Sequence, residues 1–173
     1  MPYSSNLLDN DIIKIIKKLN PKVVYDIGAG AGKYGSMVRD HIGKVVKTVA
    51  IEIDPEYIKR FELKKIYTKI LCISAADLIN SSFYDNDFGL VIIGDCIEHL
   101  KKSEGIDLLN FLIYRSSWIM IQYPIKYLQN TFDGKSQEAH ISVWGNVDFA
   151  SFDIVKKVTI GNQELVLIKG YLI

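Results

Sequence analysis

Three alternating glycines follow an apolar run near residue 25 and form the segment with the clearest capacity to bind a ligand. Gly28, Gly30 and Gly32 stand two residues apart. Glycines at this spacing let the backbone turn sharply and approach a ligand closely, and the first N–H groups of a following helix can bind an anionic group. The dinucleotide motif needs a third glycine where Lys33 stands, and the P-loop motif needs Ser or Thr where Tyr34 stands. Neither phosphate motif fits.

Acidic and histidine side chains follow a later apolar run, which covers residues 88–93. Asp95 and Glu98 are three residues apart, so one helical turn would bring them onto a common face. With His99 and His140 they offer two carboxylates and two imidazoles, a set able to move protons or to hold a divalent cation that polarises a hydroxyl. Of these two possibilities we expect the first, in which His99, Asp95 and His140 carry the chemistry and no metal is bound.

The elements that must position these groups alternate between strand-like and helical patterns. An N-terminal helix is expected at residues 7–19, and after it apolar runs of strand length alternate with stretches of helical periodicity. The apolar runs cover residues 22–27, 45–52, 69–73, 88–93 and 116–122. The helical stretches cover about 32–41, 55–65 and 103–114. This alternation predicts an α/β fold with a parallel sheet covered on both faces. Residues 152–159 and 163–171 are strand-like but separated by three residues, which forces an antiparallel hairpin. Ligands bind such sheets at the carboxyl ends of the strands.

Length and composition indicate one folded domain. The chain has 173 residues, 49% apolar and 24% charged, with a formal net charge of +1. These values exclude a disordered chain and give no bulk attraction for nucleic acid or an acidic membrane. No charge-free stretch approaches the ~18 residues that cross a bilayer, and no targeting segment is visible, so we expect a cytoplasmic protein. Cys72 and Cys96 lie on strands that the fold would keep apart, so both are expected to be free thiols.

The motifs together resemble the class I S-adenosylmethionine-dependent methyltransferases. Residues 26–32 have the spacing D-x-G-x-G-x-G of the family's first motif, and residues 49–55 resemble its second strand with a terminal acid, Glu52. Residues 88–100 are similar to its fourth strand and the loop after it, and the final hairpin matches its reversed seventh strand. The resemblance implies a Rossmann-like, doubly wound sheet of seven strands in the order 3-2-1-4-5-7-6 with strand 7 antiparallel, and S-adenosyl-L-methionine as the cofactor.

The resemblance also implies which residues bind the cofactor. The glycine loop would hold the methionine part, with its carboxylate at the following helix and its ammonium near the first acid, and Glu52 would accept hydrogen bonds from the ribose. The expected cofactor-binding residues are Asp26, Gly28, Ala29, Gly30, Gly32, Glu52, Ile53, Ala76, Asp77 and Asp95. The family's adenine-binding acid falls at Ser74 when counted back from Leu78; we favour Asp77, with Ala76 against the ring, and leave Ser74 as the alternative.

The acceptor is expected at the long connection 123–146, because a connection of that length in a compact domain is usually functional. We expect a single domain over residues 1–173 in which 1–20 form an N-terminal helix and 123–146 form a lid over the acceptor site. The segment holds aromatic side chains, and Trp144 among them either faces the acceptor or packs under the sheet. A histidine-x-serine-x-tryptophan arrangement, at 140–144 here, is similar to that of small members of the family.

Three functions compete at this stage. The leading hypothesis is methyl transfer to an oxygen or nitrogen of an unidentified acceptor, either a small molecule or a chain end. The second is a non-catalytic S-adenosylmethionine-binding or scaffold protein, and a nicotinamide oxidoreductase is disfavoured by Lys33. Motifs for base methylation of nucleic acids are missing after residue 93, and the sequence shows no clear nucleic-acid footprint. We expect no membrane partner. A homodimer is left open.

Overall fold

The computed structural model describes residues 3–81 and 88–172. Within these residues the structure contains seven strands and four α-helices. The strands are β1 (Val23–Ile27), β2 (Lys47–Ile51), β3 (Lys69–Leu71), β4 (Phe88–Gly94), β5 (Ser116–Pro124), β6 (Ile154–Ile160) and β7 (Gln163–Lys169). The helices are α1 (Asp9–Leu19), α2 (Lys33–His41), α3 (Pro55–Arg60) and α4 (Lys102–Ile113). Short 3₁₀ turns connect several of them.

One mixed sheet contains all seven strands, in the order β3-β2-β1-β4-β5-β7-β6. The first five strands pair in parallel, and β7 runs antiparallel to both β5 and β6. The predicted α/β class, strand order and reversed seventh strand are confirmed. The carboxyl ends of β1, β2 and β4 therefore meet at one edge of the sheet, where the glycine loop and the two acidic segments emerge.

The central strands are buried on both faces, and their side chains alternate between two apolar clusters. In β4, Leu90 and Ile92 pack in the cluster that includes α1 and α2, whereas Val91 and Ile93 pack in the cluster that includes α4. This alternation follows from the two-residue period of a strand. A strand with both faces covered needs apolar residues at every position, which is why these strands are continuous apolar runs in the sequence.

Local sequence sets the ends of the helices around the site. Asn20 ends α1 in the left-handed region, at φ +43°, where the following Pro21 prevents further helix. Asp54 lies just before α3, and its side chain accepts a hydrogen bond of 2.8 Å from the Glu56 N–H. Asp54 therefore caps α3, and the cap fixes the chain direction immediately after the second strand.

Cys72 and Cys96 are free thiols, as predicted. In the part of the chain that the structure describes, no helix is both long enough and apolar enough to cross a bilayer.

Candidate functional site

A cleft of about 210 Å³, partly open to solvent, lies at the carboxyl ends of the parallel strands. The loops after four strands contribute to it, with Gly28 and Gly30 after β1, Glu52 and Ile53 after β2, Ser74 and Ala75 after β3, and Asp95, Cys96 and His99 after β4. This is the location that a doubly wound sheet favours for a ligand.

The glycine loop can adopt its path only without side chains at two positions. Gly28 has φ +75°, and a Cβ there would lie 2.4 Å from the Sγ atom of Cys96. Gly32 has φ +81°, and a Cβ there would lie 2.6 Å from the Cδ1 atom of Ile66. Both positions combine a left-handed backbone with a close neighbour. The glycines thus let the loop pack tightly while the backbone of Gly28 and Gly30 lines the cleft.

Glu52 connects the loop after β2 with the glycine loop. Its carboxylate accepts a hydrogen bond of 2.7 Å from the Gly30 N–H and another of 2.9 Å from the Asp54 N–H. The side chain is only 5% exposed but borders the cleft. Burial raises the pKa of Glu52, and the two backbone donors oppose that shift. Glu52 is therefore held rigidly at the position where the sequence predicts a ribose acceptor.

Asp26 lies beneath the glycine loop, outside the residues that line the cleft. It is fully buried and accepts a hydrogen bond from the hydroxyl of Tyr67, which in turn accepts one from the Gly35 N–H at 3.2 Å. Burial raises the pKa of Asp26 to about 7. Ala29 is likewise buried, in a cluster with Tyr67. Asp26 and Ala29 therefore support the loop from behind.

The residues after β3 that line the cleft directly precede the pair favoured for the adenine contact. Ser74 and Ala75 line the cleft, whereas the favoured pair, Ala76 and Asp77, lies in the following 3₁₀ turn and Asp77 is exposed. The turn begins after Ala75, with the Ala76 N–H donating to the Ser74 hydroxyl at 3.2 Å. The alternative residue, Ser74, is the one that the fold brings to the cleft.

Asp95 follows β4 with a left-handed backbone, at φ +47°. Its Oδ2 accepts hydrogen bonds from the Ser5 N–H at 2.9 Å and from the Gln122 side chain at 2.8 Å. Its Oδ1 is buried and has no hydrogen-bond partner among the described residues. Burial raises the pKa of Asp95 to about 6. The neighbouring Ser4 also lines the cleft, so the segment before α1 forms part of the wall.

Glu98, His99 and His140 come together beside the cleft. Their potential metal-ligand atoms all lie within 4.8 Å of one another, and the two imidazole rings are 4.7 Å apart. His99 itself lines the cleft. Burial lowers the pKa of both histidines and raises that of Glu98. The predicted meeting of these three residues is thus present, but Asp95 directs its Oδ2 to Ser5 and Gln122 instead.

The connection after β5 covers one side of the cleft. Gln137 and Glu138 line it, and Glu138 accepts a hydrogen bond of 2.8 Å from the hydroxyl of Tyr57 in α3. Lys135 forms ion pairs with Asp54 and, at 2.7 Å, with Glu56. These contacts join residues about 80 positions apart, so no local spacing in the sequence indicated them.

The two ends of this connection belong to the core. Tyr123 is fully buried in β5 and donates a hydrogen bond to Glu164. Trp144 is 2% exposed, and its Nε1–H donates to the Ile97 carbonyl at 3.1 Å and to the Ser142 hydroxyl at 2.8 Å. Of the two possibilities for Trp144, the structure has the one in which it packs under the sheet. The covering part of the segment is therefore residues 125–143.

A sheet of this order, with a glycine loop and an acid facing one cleft, defines a Rossmann-like methyltransferase fold. Residues 25–107 match the family model described as a methyltransferase domain, and this range runs from within β1 through β4 with the glycine loop and Glu52. The match covers slightly less than half of the chain and, with the solved structures below, supports the class I S-adenosylmethionine-dependent methyltransferase family that the motifs predict, whose cofactor is S-adenosylmethionine.

Solved structures with the same fold align with nearly the whole chain. A protein of Pyrococcus horikoshii has a TM-score of 0.70 at 18% identity and covers 95% of this chain and 88% of its own. An S-adenosylmethionine-dependent methyltransferase of Clostridium acetobutylicum has a TM-score of 0.67 at 11% identity, with coverage of 96% and 92%. The N-methyltransferase NodS of Bradyrhizobium japonicum has a TM-score of 0.66 at 12% identity, with coverage of 96% and 98%. No curated protein matches the sequence.

Proposed function

We propose that the protein transfers the methyl group of S-adenosylmethionine to an oxygen or nitrogen of an acceptor, either a small molecule or a chain end. One observation carries this proposal: a single cleft is lined by the glycine loop, by Glu52 and by the imidazole of His99. A protein that only binds the cofactor needs the glycine loop and Glu52. A transfer reaction also uses a base at the same cleft, and His99 can supply it.

The residues of the cleft fit the cofactor. Among the described residues, the cleft lining contains no lysine or arginine, while it contains the carboxylates of Glu52, Asp95, Glu104 and Glu138. S-adenosylmethionine carries two cationic groups and one carboxylate, so an acidic lining suits it. Glu52, held by two backbone N–H groups, is oriented for the ribose hydroxyls.

The bound cofactor supplies an electrophilic methyl group, and the protein's task is to align and deprotonate the acceptor. His99 has its Nδ1 atom 3.0 Å from the Ala139 carbonyl, so this nitrogen carries the proton when the ring is neutral. The other nitrogen, Nε2, is then a hydrogen-bond acceptor that can take a proton from a hydroxyl or an amine. Because burial lowers the pKa of His99, the ring is neutral, and therefore able to act as a base, near pH 7.

Residues 125–143 supply the cover that methyl transfer requires, since water must be kept from the reacting groups. The segment is joined to α3 through Lys135 and through Glu138, which binds Tyr57. We place the acceptor between this segment and His99. Exposed Tyr127 and Phe132 on the same segment suit an acceptor with an apolar or flat part.

Binding and transfer are tested separately. Calorimetry should detect S-adenosylmethionine and its demethylated product S-adenosylhomocysteine, but not NAD. Labelled methyl from S-adenosylmethionine should then be transferred to one fraction of a cell extract separated into RNA, protein, lipid and small metabolites. His99→Ala should bind the cofactor and lose transfer, while His41→Ala, at an exposed histidine outside the cleft, should keep both. Cofactor binding without transfer to any fraction would instead support the non-catalytic protein.

A further inference from the structure

The carboxylate of Glu98 is buried with little around it to compensate its charge. Glu98 is 2% exposed, and neither of its carboxylate oxygens has a hydrogen-bond partner among the described residues. A charged carboxylate in such a place is costly unless it is paired with a cation or bound to a metal. The ionic contact of Glu98 among the described residues is with the Nε2 atom of His140, 3.9 Å from Oε1, which is too far for a hydrogen bond.

Backbone carbonyls set the orientations of the two neighbouring imidazoles. Nδ1 of His99 lies 3.0 Å from the Ala139 carbonyl, and Nδ1 of His140 lies 3.0 Å from the Tyr127 carbonyl. Histidines that bind metals through Nε2 commonly donate their other N–H to a backbone carbonyl, which sets the tautomer and the ring orientation. Both histidines have this arrangement, and both Nε2 atoms are left as ligands.

The spacing of the three groups is close to that of a metal site. Bonds from nitrogen or oxygen ligands to zinc are about 2.0 to 2.2 Å long, so two ligands of one ion lie about 3 to 4.4 Å apart. The ligand atoms of Glu98, His99 and His140 lie within 4.8 Å of one another. Three ligands of one ion cannot all lie opposite one another, so the longest of these separations must shorten by roughly 1 Å for all three atoms to bind one ion.

We propose that Glu98, His99 and His140 form a binding site for a divalent transition metal. Two imidazoles and one carboxylate favour Mn²⁺, Fe²⁺, Co²⁺ or Zn²⁺ over Mg²⁺ and Ca²⁺, which prefer oxygen ligands. Three protein ligands leave further coordination positions open. Because His99 lines the cleft, an open position faces the place where the acceptor is proposed to bind. An ion bound to Nε2 of His99 would replace that nitrogen as the base and would itself polarise an acceptor oxygen. This role in binding an acceptor oxygen rests on the proposed function, whereas the metal site itself does not.

The test uses the whole chain, treated with chelator and titrated with Mn²⁺ and Zn²⁺ by calorimetry, with Co²⁺ absorption bands as a report on the ligands. We expect one equivalent of metal to bind, and Glu98→Gln and His140→Ala each to weaken binding at least tenfold. His41→Ala and Glu62→Gln, at exposed residues elsewhere, control for surface binding and should leave the affinity unchanged. Thermal unfolding of each metal-free variant establishes that it folds, and His140→Asn replaces His140→Ala if the latter does not.

Absence of stoichiometric binding, or binding that the Glu98 and His140 substitutions leave unchanged, would overturn the proposal. In that case Glu98 carries a proton instead, and Glu98→Gln should leave the thermal stability of the protein close to that of the parent. The metal titration requires neither cofactor nor acceptor. A protein that binds metal but transfers no methyl group would therefore support this site while contradicting the proposed function.

Discussion

Replacing Glu52 by glutamine changes one atom and should weaken cofactor binding strongly. The carboxylate accepts hydrogen bonds from the Gly30 N–H at 2.7 Å and from the Asp54 N–H at 2.9 Å. Glutamine has one acceptor oxygen and one NH₂ group, and the NH₂ group cannot accept from either backbone donor. One of the two loops must therefore move, and the acceptor offered to the ribose loses its charge.

The size of the effect follows from the bonds that change. A hydrogen bond to a charged group contributes about 1.5 to 3 kcal/mol, and each 1.4 kcal/mol is a factor of ten in affinity. We expect Glu52→Gln to raise the Kd for S-adenosylhomocysteine about 10- to 100-fold. The stability of the unliganded protein should change much less, because removing a buried charge whose pKa is raised by burial offsets the lost hydrogen bond.

Isothermal calorimetry with S-adenosylhomocysteine measures this Kd directly, and urea unfolding measures the stability. Glu62→Gln is the matched control because it makes the same chemical change at an exposed residue, whose ion pair among the described contacts is with Lys65. A Kd within twofold of the parent for Glu52→Gln would refute the placement of the ribose at Glu52, since the acceptor would then be irrelevant to binding.

Three further predictions concern the loop, the pH dependence and the cover. Gly28→Ala should lower the unfolding free energy, measured in urea, by about 2 kcal/mol more than Gly134→Ala does. Both glycines have φ near +75°, but of the two only Gly28 has a close neighbour that an added Cβ would meet. Equal losses in the two variants would contradict the clash. The pKa of Asp26 is raised from 3.8 to about 7 in the folded state, so the folded protein keeps this proton to higher pH than the unfolded chain does. The unfolding free energy should therefore fall as the pH rises from about 4 to about 7, by at most ~1.4 kcal/mol per pH unit. Asp26→Asn should flatten that slope in urea unfolding, and an unchanged slope would place its origin elsewhere. Hydrogen exchange of residues 125–143 should slow when S-adenosylhomocysteine binds, and Lys135→Ala should speed it; protection equal to that of the strands without ligand would make the segment purely structural.

The fold could be predicted because its determinants are local. Strands buried on both faces are continuous apolar runs, and the three-residue connection 160–162 permits only a hairpin. The glycine loop and Glu52 could be placed for the same reason, since each directly follows a strand. Their positions at the cleft need only the parallel order of β1 and β2.

The parts of the site that could not be predicted depend on contacts between distant residues. Asp26 does not line the cleft, and its carboxylate binds the Tyr67 hydroxyl, 41 positions later. Ser74 and Ala75 line the cleft in place of Ala76 and Asp77, since a 3₁₀ turn begins directly after Ala75, and neither periodicity nor spacing reports such a turn. Glu138 reaches the cleft through Tyr57, a pairing that only the tertiary fold creates.

The contacts of Ser5 have a consequence for the order in which the pocket is completed. Its N–H binds Asp95, and its carbonyl accepts from Lys33 and from Gln122. During synthesis from the N-terminus, Ser5 is therefore made early, but its last partner, Gln122, is present only when β5 has been made. The glycine loop and Glu52 can form before that point, whereas the wall beside Asp95 cannot. The ligand pocket thus becomes complete only after the fifth strand joins the sheet.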